Sequence, residues 1–229
     1  MARAPAAFPA APSLRPAHPH RVADTIRREL AERWPAALER FEHEFEGVGG
    51  IFHRVPAVDD VAAVVGHLAR ERGASSVIAW SAAALGFDAG ARLGAEGLAC
   101  VAMPDAVPDA EERGRLRDAI AATPIGLTGV DLALAETGTL ILRAGSGRPR
   151  STSLLPACHV AVFDRGALVE SLAQAGVFLE AWSADDTSGA AINFITGPSR
   201  TADIELTLTR GVHGPKEVHA IFVERPVRG

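Results

Sequence analysis

The sequence contains little cysteine and lacks the spacing motifs of metal and nucleotide sites. Among 229 residues, only Cys100 and Cys158 are cysteines, and they stand far apart in apolar surroundings. Two such thiols support neither a disulfide framework nor an iron–sulfur cluster. No histidine pair has metal spacing such as HxxxH, so we expect no metal site. No GxGxxG follows a predicted strand, so we expect no cofactor in this chain.

Long apolar segments and basic runs are also missing. No segment approaches the length that crosses a bilayer, so we expect no membrane span. With a net charge of −5 and no basic run, we expect no nucleic-acid partner. Prolines interrupt residues 1–20 and break any signal-peptide core, so we expect a flexible Pro/Ala-rich arm there. A cytoplasmic location is the default expectation.

After the arm, the spacing of apolar residues predicts a helical segment followed by an α/β domain. Between Val22 and Phe45, apolar residues recur at helical intervals, which predicts an N-terminal helical segment over 21–48. Pro35 is expected to divide it into two helices or to kink it. Over 49–229, short apolar runs alternate with amphipathic segments, among them "GALVESLAQA", which we predict to be helical. This alternation predicts an α/β domain with a mainly parallel sheet.

Polar residues gather in two loops next to predicted strands, where parallel sheets bind ligands. In "TGVDLALAETGT", Glu136 stands in an apolar run, either facing a ligand pocket or satisfying the amides of a turn. In "ITGPSRTADIE", hydroxyls and a guanidinium offer the donors that hold a carboxylate or phosphate. The candidate ligand-binding residues are Thr137, Gly138, Thr139, Gly197, Ser199, Arg200, Thr201 and Asp203.

Two further loops carry weaker signals. "RAGSGRPRSTSLLP" contains Arg148 and Arg150 but lacks the lysine and hydroxyl placement of a P-loop, so an exposed flexible connection is favoured over a ligand-covering loop. "GVHGPKE" places His213 between glycines, either as a turn cap or as an acid–base group. We predict that the "AETGT", "TGPSRTADIE" and "GVHGP" segments meet in space. Arg200, with the hydroxyls of Thr137, Thr139 and Ser199, is expected to form an anion site with Glu136 at its wall.

Four segments, taken in chain order, resemble the lactate-utilization protein C family (LutC/YkgG), whose members consist of a LUD (DUF162) domain. The segments are "GLTGVDLALAETGTLIL", "SLLPACHVAVF", "ITGPSRTADIE" and "GVHGPKEVHAIFV". The resemblance implies a Rossmann-like sheet of the NagB/RpiA/CoA-transferase-like type with an N-terminal helical extension. It also implies a bacterial system that oxidises L-lactate to pyruvate, with iron–sulfur clusters in two companion subunits.

Two hypotheses about function follow from the resemblance. In the first, the chain is an accessory subunit that binds a small carboxylate or phosphate-bearing ligand, or a partner, beside the iron–sulfur subunits. In the second, it is a stand-alone enzyme in which Glu136 is the nucleophile or general base, as a glutamate is in similar CoA-transferase folds. "AETGT" does not match the longer glutamate motif expected there, so the first is favoured.

Overall fold

The computed structural model describes residues 16–107, 109–185, 191–202, 208–210 and 213–227. The α-helices are α1 (Pro19–Gly47), α2 (Val61–Glu71), α3 (Ala82–Leu85), α4 (Ala89–Ala95), α5 (Ala110–Ala122), α6 (Ser151–Leu154) and α7 (Leu172–Ala184). The strands are β1 (Ile51–Val55), β2 (Ser76–Ala79), β3 (Ala99–Ala102), β4 (Ile125–Gly129), β5 (Leu132–Leu134), β6 (Thr139–Arg143), β7 (Cys158–Asp164), β8 (Leu168–Val169), β9 (Ile192–Ile195), β10 (Arg200–Ala202), β11 (Leu208–Arg210) and β12 (Glu217–Val223). Within these ranges, no helix has the length and apolarity needed to span a bilayer.

A parallel sheet dominates the described part of the chain, as the sequence predicts. Its strand order is β1-β12-β7-β4-β2-β3, and each neighbouring pair is parallel. Every residue of β4 and all but the last of β7 are buried. Strands covered on both faces need apolar side chains in both directions, which explains why these runs lack polar alternation.

A second sheet, which the sequence reading did not separate from the first, has the order β8-β5-β6-β9. Its pairs β5–β6 and β6–β9 are antiparallel. The prediction of a helix over "GALVESLAQA" is wrong in its first half, because Leu168 and Val169 pair with β5. Helix α7 begins only after Ser171, whose Oγ accepts a hydrogen bond from the backbone N–H of Gln174.

The N-terminal helical segment is one helix rather than two. Pro35 lies inside α1, although an interior proline costs roughly 3 kcal/mol of helix stability. Apolar side chains on both sides of it, such as Leu30 and Leu38, are buried and hold both halves in line. Of the two expected alternatives, division into two helices at Pro35 is therefore wrong, because tertiary packing outweighs the lost hydrogen bond.

Helix α1 covers one face of the parallel sheet with aromatic side chains. Trp34 stacks on Phe222 with ring centroids 5.7 Å apart, and Phe41 meets Phe163 edge to face at 5.2 Å. On the opposite face, Arg72 at the end of α2 reaches Glu217 of β12. Side chains alternate between faces along a strand, so Glu217 and Phe222 lie on opposite sides.

Candidate functional site

A cavity of about 440 Å³ opens at the carboxyl ends of β4 and β7. Gly129 ends β4 and Val130 follows it in the cavity wall, where Asp164 also ends β7 and Arg165 follows it. This is the edge at which open α/β sheets bind ligands, because the loops that leave the strands converge on it. Helices α1 and α7 contribute Arg27 and Trp182 to the lining.

Asp131 organises the inner wall of this cavity. Its Oδ2 accepts a hydrogen bond from the backbone N–H of Arg143 at 2.7 Å, and its Oδ1 accepts one from Arg143 Nε at 3.1 Å. The same Oδ1 accepts a third from Arg148 Nη1 at 3.1 Å. Only 6% of the Asp131 side chain is exposed, so a carboxylate without these two partners would be costly there.

Both arginines are also held by aromatic rings. The guanidinium of Arg143 lies 4.3 Å from the centre of the Trp182 ring, and that of Arg148 lies 5.1 Å from the Trp80 ring. Aromatic stacking together with a carboxylate partner fixes the plane of each guanidinium. Fixed planar donors lose little entropy when they bind an anion.

The loop that carries Arg148 is pinned at several points, in contrast to the flexible connection that the sequence favoured. The Trp80 indole N–H donates to the carbonyl of Pro149 at 3.3 Å, and the Ser81 backbone N–H donates to the carbonyl of Gly147 at 3.0 Å. The Ser146 hydroxyl donates to the carbonyl of Asp105. Gly147 has φ +65°, and a Cβ there would press on Ser81 and Asp105.

The cavity lining is positively charged overall, although the chain has a net charge of −5. Two aspartates, Asp131 and Asp164, face four arginines. The arginines are Arg27, Arg143, Arg148 and Arg165. A concave site with excess guanidinium charge selects anions, above all carboxylates and phosphates that match the fork of donors.

The segments proposed from the sequence as the ligand site lie elsewhere and contact one another. Thr139 Oγ1 lies 2.7 Å from Thr137 Oγ1 and 2.8 Å from Thr196 Oγ1. The Ser199 backbone N–H donates to the carbonyl of Pro215 at 2.9 Å. The described parts of the "AETGT", "TGPSRTADIE" and "GVHGP" segments are therefore neighbours in the structure; residues 203–205, 211 and 212 of these segments lie outside the described ranges.

These turns pack against the end of α1. A Cβ on Gly138 would overlap the backbone nitrogen of Phe45, and one on Gly197 would lie 2.6 Å from the carbonyl oxygen of Val48. Arg200 is exposed and its Nη2 would lie 2.8 Å from a Cβ on Gly49. A guanidinium beside a helix C-terminus is favourable, and α1 has no basic residue in its last turn.

The two candidate catalytic residues occupy different surroundings. The carboxylate of Glu136 accepts a hydrogen bond from the backbone N–H of Leu172 at 2.8 Å, at the N-terminus of α7. His213 is exposed. Among the remaining candidates, Thr201 lies in β10, and Asp203 lies outside the described residues.

The buried His219, the half-buried His53 and the buried Cys158 form a second polar cluster, which the spacing of residues along the sequence did not reveal. His53 Nε2 lies 3.0 Å from His219 Nδ1, and the rings stack. Burial, followed by the neighbouring charges of His53 and Arg72, lowers the pKa of His219 to about 3. Burial also lowers the pKa of His53, and it raises the pKa of Cys158 to about 11 against the opposing effect of Arg72. The cluster comes from three strands, so only sheet register could have predicted it.

His159 lies on the other face of β7 from Cys158. Its Nε2 lies 2.8 Å from the Thr128 hydroxyl, while its Nδ1 has no hydrogen-bond partner among the described residues. Burial, followed by the neighbouring His219, lowers the pKa of His159 to about 3. A neutral imidazole in this position is a core residue rather than a solvent-facing acid or base.

The family model and the curated relatives that match this chain agree with each other. The family model described as the LUD domain matches residues 38–223 and thus begins within α1. A "Lactate utilization protein C" from Halalkalibacterium halodurans is 41% identical over 117 residues, which is 51% of each chain. Another from Macrococcus caseolyticus is 43% identical over 101 residues, 44% of each chain. The chain thus spans about half the length of the curated relatives it matches.

The fold is similar to that of a solved structure. A DUF162 family protein from Deinococcus radiodurans superposes with a TM-score of 0.53 at 19% identity. The superposition covers 83% of this chain and 98% of the other. Identity this low bears on the fold alone.

Proposed function

Because the chain belongs to the LUD domain family, we propose that it is a component of a lactate-utilisation system and binds a small carboxylate- or phosphate-bearing ligand in its arginine-lined cavity. The main observation in support of this ligand class is that arginines outnumber aspartates in the cavity at the carboxyl edge of the parallel sheet. The involvement in lactate metabolism is supported by relatives that carry the name lactate utilization protein C.

The proposed role is accessory, beside iron–sulfur subunits that transfer the electrons. Oxidation of a 2-hydroxy acid to a 2-oxo acid removes two electrons, which a flavin, nicotinamide or metal centre must accept. Carboxylates and imidazoles move protons but accept no electrons. In this arrangement, the cavity holds an anion of the pathway or a carboxylate of a partner, and the clusters stay in the companion subunits.

The alternative of a stand-alone enzyme with Glu136 as nucleophile has less support. The Glu136 carboxylate caps α7 through the N–H of Leu172. That carboxylate is therefore already engaged in a hydrogen bond at the helix N-terminus. The arginine-lined cavity is formed without Glu136.

A binding experiment with matched variants tests the ligand class. Isothermal titration with L-lactate, pyruvate and inorganic phosphate should give binding for at least one of them. Arg148→Gln should weaken it roughly tenfold or more, because a charge-assisted hydrogen bond contributes about 1.5–3 kcal/mol. Arg150→Gln is the control, since Arg150 is exposed on the same loop and outside the lining.

A growth experiment tests the pathway. Deleting the gene from its host should abolish growth on L-lactate and spare growth on pyruvate. Complementation with Arg148→Gln should fail while Arg150→Gln restores growth, and both variants should co-purify with the companion subunits. Normal growth of the deletion strain on lactate would contradict the pathway, and equal binding by both variants would contradict the site.

A further inference from the structure

Three side chains with metal-ligand chemistry meet on the face of the parallel sheet that α2 covers. Strand register pairs Glu217 of β12 with Cys158 of β7, and His219 follows two residues later on the same face. The ligand atoms of all three lie within 4.8 Å of one another. This cluster lies apart from the arginine-lined cavity, since none of its members lines that cavity.

We propose that Cys158, Glu217 and His219 form a binding site for a divalent ion of the zinc type. A thiolate, an imidazole and a carboxylate are the ligands that Zn²⁺ takes, and three protein ligands leave a fourth position for water. On binding, the Cys158 thiol releases its proton to the solvent and the sulfur bonds the metal as a thiolate. Hard ions such as Mg²⁺ prefer all-oxygen sites and would bind poorly here.

His53 supplies the support that a metal-binding histidine requires. It lies 3.0 Å from His219 Nδ1, so a His219 that binds a metal through Nε2 carries its proton on Nδ1 and donates it to His53 Nε2. That tautomer leaves His219 Nε2 free for a metal, on the side where Glu217 Oε2 lies 3.4 Å away. Metal-ligating histidines usually donate their other ring N–H to such a second partner, which fixes the orientation of the ring.

Arg72 is the cation that competes with a metal for the Glu217 carboxylate. Its Nη2 contacts the Glu217 carboxylate directly. Its Nη1 donates to the carbonyl of Leu68 at 2.8 Å and contacts Glu71 at 3.3 Å. When a metal takes the Glu217 oxygen, Arg72 therefore keeps two other partners.

An ion can reach the cluster from the surface. The Glu217 side chain is 43% exposed, whereas the His219 side chain is 2% exposed. Cys158 is also buried. The carboxylate thus forms the entrance, and the thiol and imidazole form the dry inner part of the site. Such burial favours retention of the metal once the carboxylate has captured it.

Cobalt titration of the reduced, chelator-stripped full chain tests the site without any assay of activity. We expect one Co²⁺ per chain, a thiolate-to-cobalt charge-transfer band in the near ultraviolet, and loss of the band on adding Zn²⁺. Cys158→Ser should abolish the band. Cys100→Ser is the control and should retain it, because Cys100 lies outside the cluster.

Two variants that keep all three ligands make the test independent of whether Cys158→Ser folds. His53→Phe should weaken Co²⁺ binding about 10–100-fold, the usual loss when a supporting partner is removed. Arg72→Met should strengthen binding, because it removes the cation that competes for Glu217. Absence of the band in the wild-type chain, its persistence in folded Cys158→Ser, or unchanged affinity in both His53→Phe and Arg72→Met would overturn the proposal.

Discussion

At the scale of single residues, Asp131 decides how the cavity is built. It neutralises part of the charge of Arg143 and Arg148 and holds both guanidinium groups at fixed positions. The sequence alone indicates no partner for Asp131, because Arg143 and Arg148 lie 12 and 17 residues further along the chain. The pairing depends on β5 and β6 being antiparallel, which the sequence reading did not resolve.

We expect Asp131→Asn to lower the free energy of unfolding by about 3 kcal/mol, because it leaves two half-buried guanidinium groups without their carboxylate. Urea unfolding measures the effect. Asp59→Asn is the control: Asp59 also bonds an arginine, Arg92, but its side chain is 81% exposed. Surface pairs contribute about 0–1 kcal/mol, so the control should be nearly neutral. Equal losses in the two variants would show that burial of the Asp131 pair adds nothing.

At the scale of elements, the turns singled out for ligand binding pack against the end of α1. Glycine and hydroxyl residues do cluster there, and close approach of backbones accounts for the glycines. Gly138 has φ +60° and touches the backbone of Phe45. Glycine-rich turns have the same composition whether they approach a phosphate or another chain segment, so composition alone could not separate the two.

We predict that Gly138→Ala destabilises the protein well beyond the cost of its backbone conformation. Gly73→Ala is the matched control, because Gly73 also has φ +60° but has no atom within 4 Å of an added Cβ. The control should lose about 1–2 kcal/mol from the left-handed conformation alone. Gly138→Ala should lose about 1–3 kcal/mol more in urea unfolding, through overlap with α1. Similar losses in both would mean that α1 shifts to accommodate the methyl group.

At the scale of the whole molecule, the sequence predicted the parallel sheet but gave no sign of the arginine-lined cavity. Strands such as β4 and β7 are mostly apolar on both faces, so their amino-acid composition alone predicts that they are buried. The arginine-lined cavity draws on α1, the loops after β4 and β7, and the segment around Arg148. Strand order and helix placement bring these distant residues together. Neither can be worked out from the sequence alone. The histidine cluster has the same origin, since it forms across neighbouring strands.

Buried neutral histidines should make the stability of the whole fold depend on pH. The folded-state pKa of His159 is lowered to about 3, below its ordinary value of 6.5. The unfolded chain therefore binds the proton more readily, and stability is lost as the pH falls from about 6.5 towards 3. Over that interval, each such histidine contributes a slope of about 1.4 kcal/mol per pH unit, and His219, whose pKa is also lowered to about 3, adds to it.

Replacement of His159 by glutamine should reduce that slope. Urea unfolding of the chelator-treated protein between pH 6 and 4 should show a slope lower by about 1.4 kcal/mol per pH unit in His159→Gln than in the wild type. The variant will also be less stable at pH 7, because the ring fills space between β4 and β7, so the comparison uses the slope and not the absolute value. His43→Gln is the control, since His43 is exposed on α1, and it should leave the slope unchanged. If His159→Gln folds and keeps the wild-type slope, then His159 already carries its proton in the folded state at pH 4, and the acid sensitivity must come from other groups.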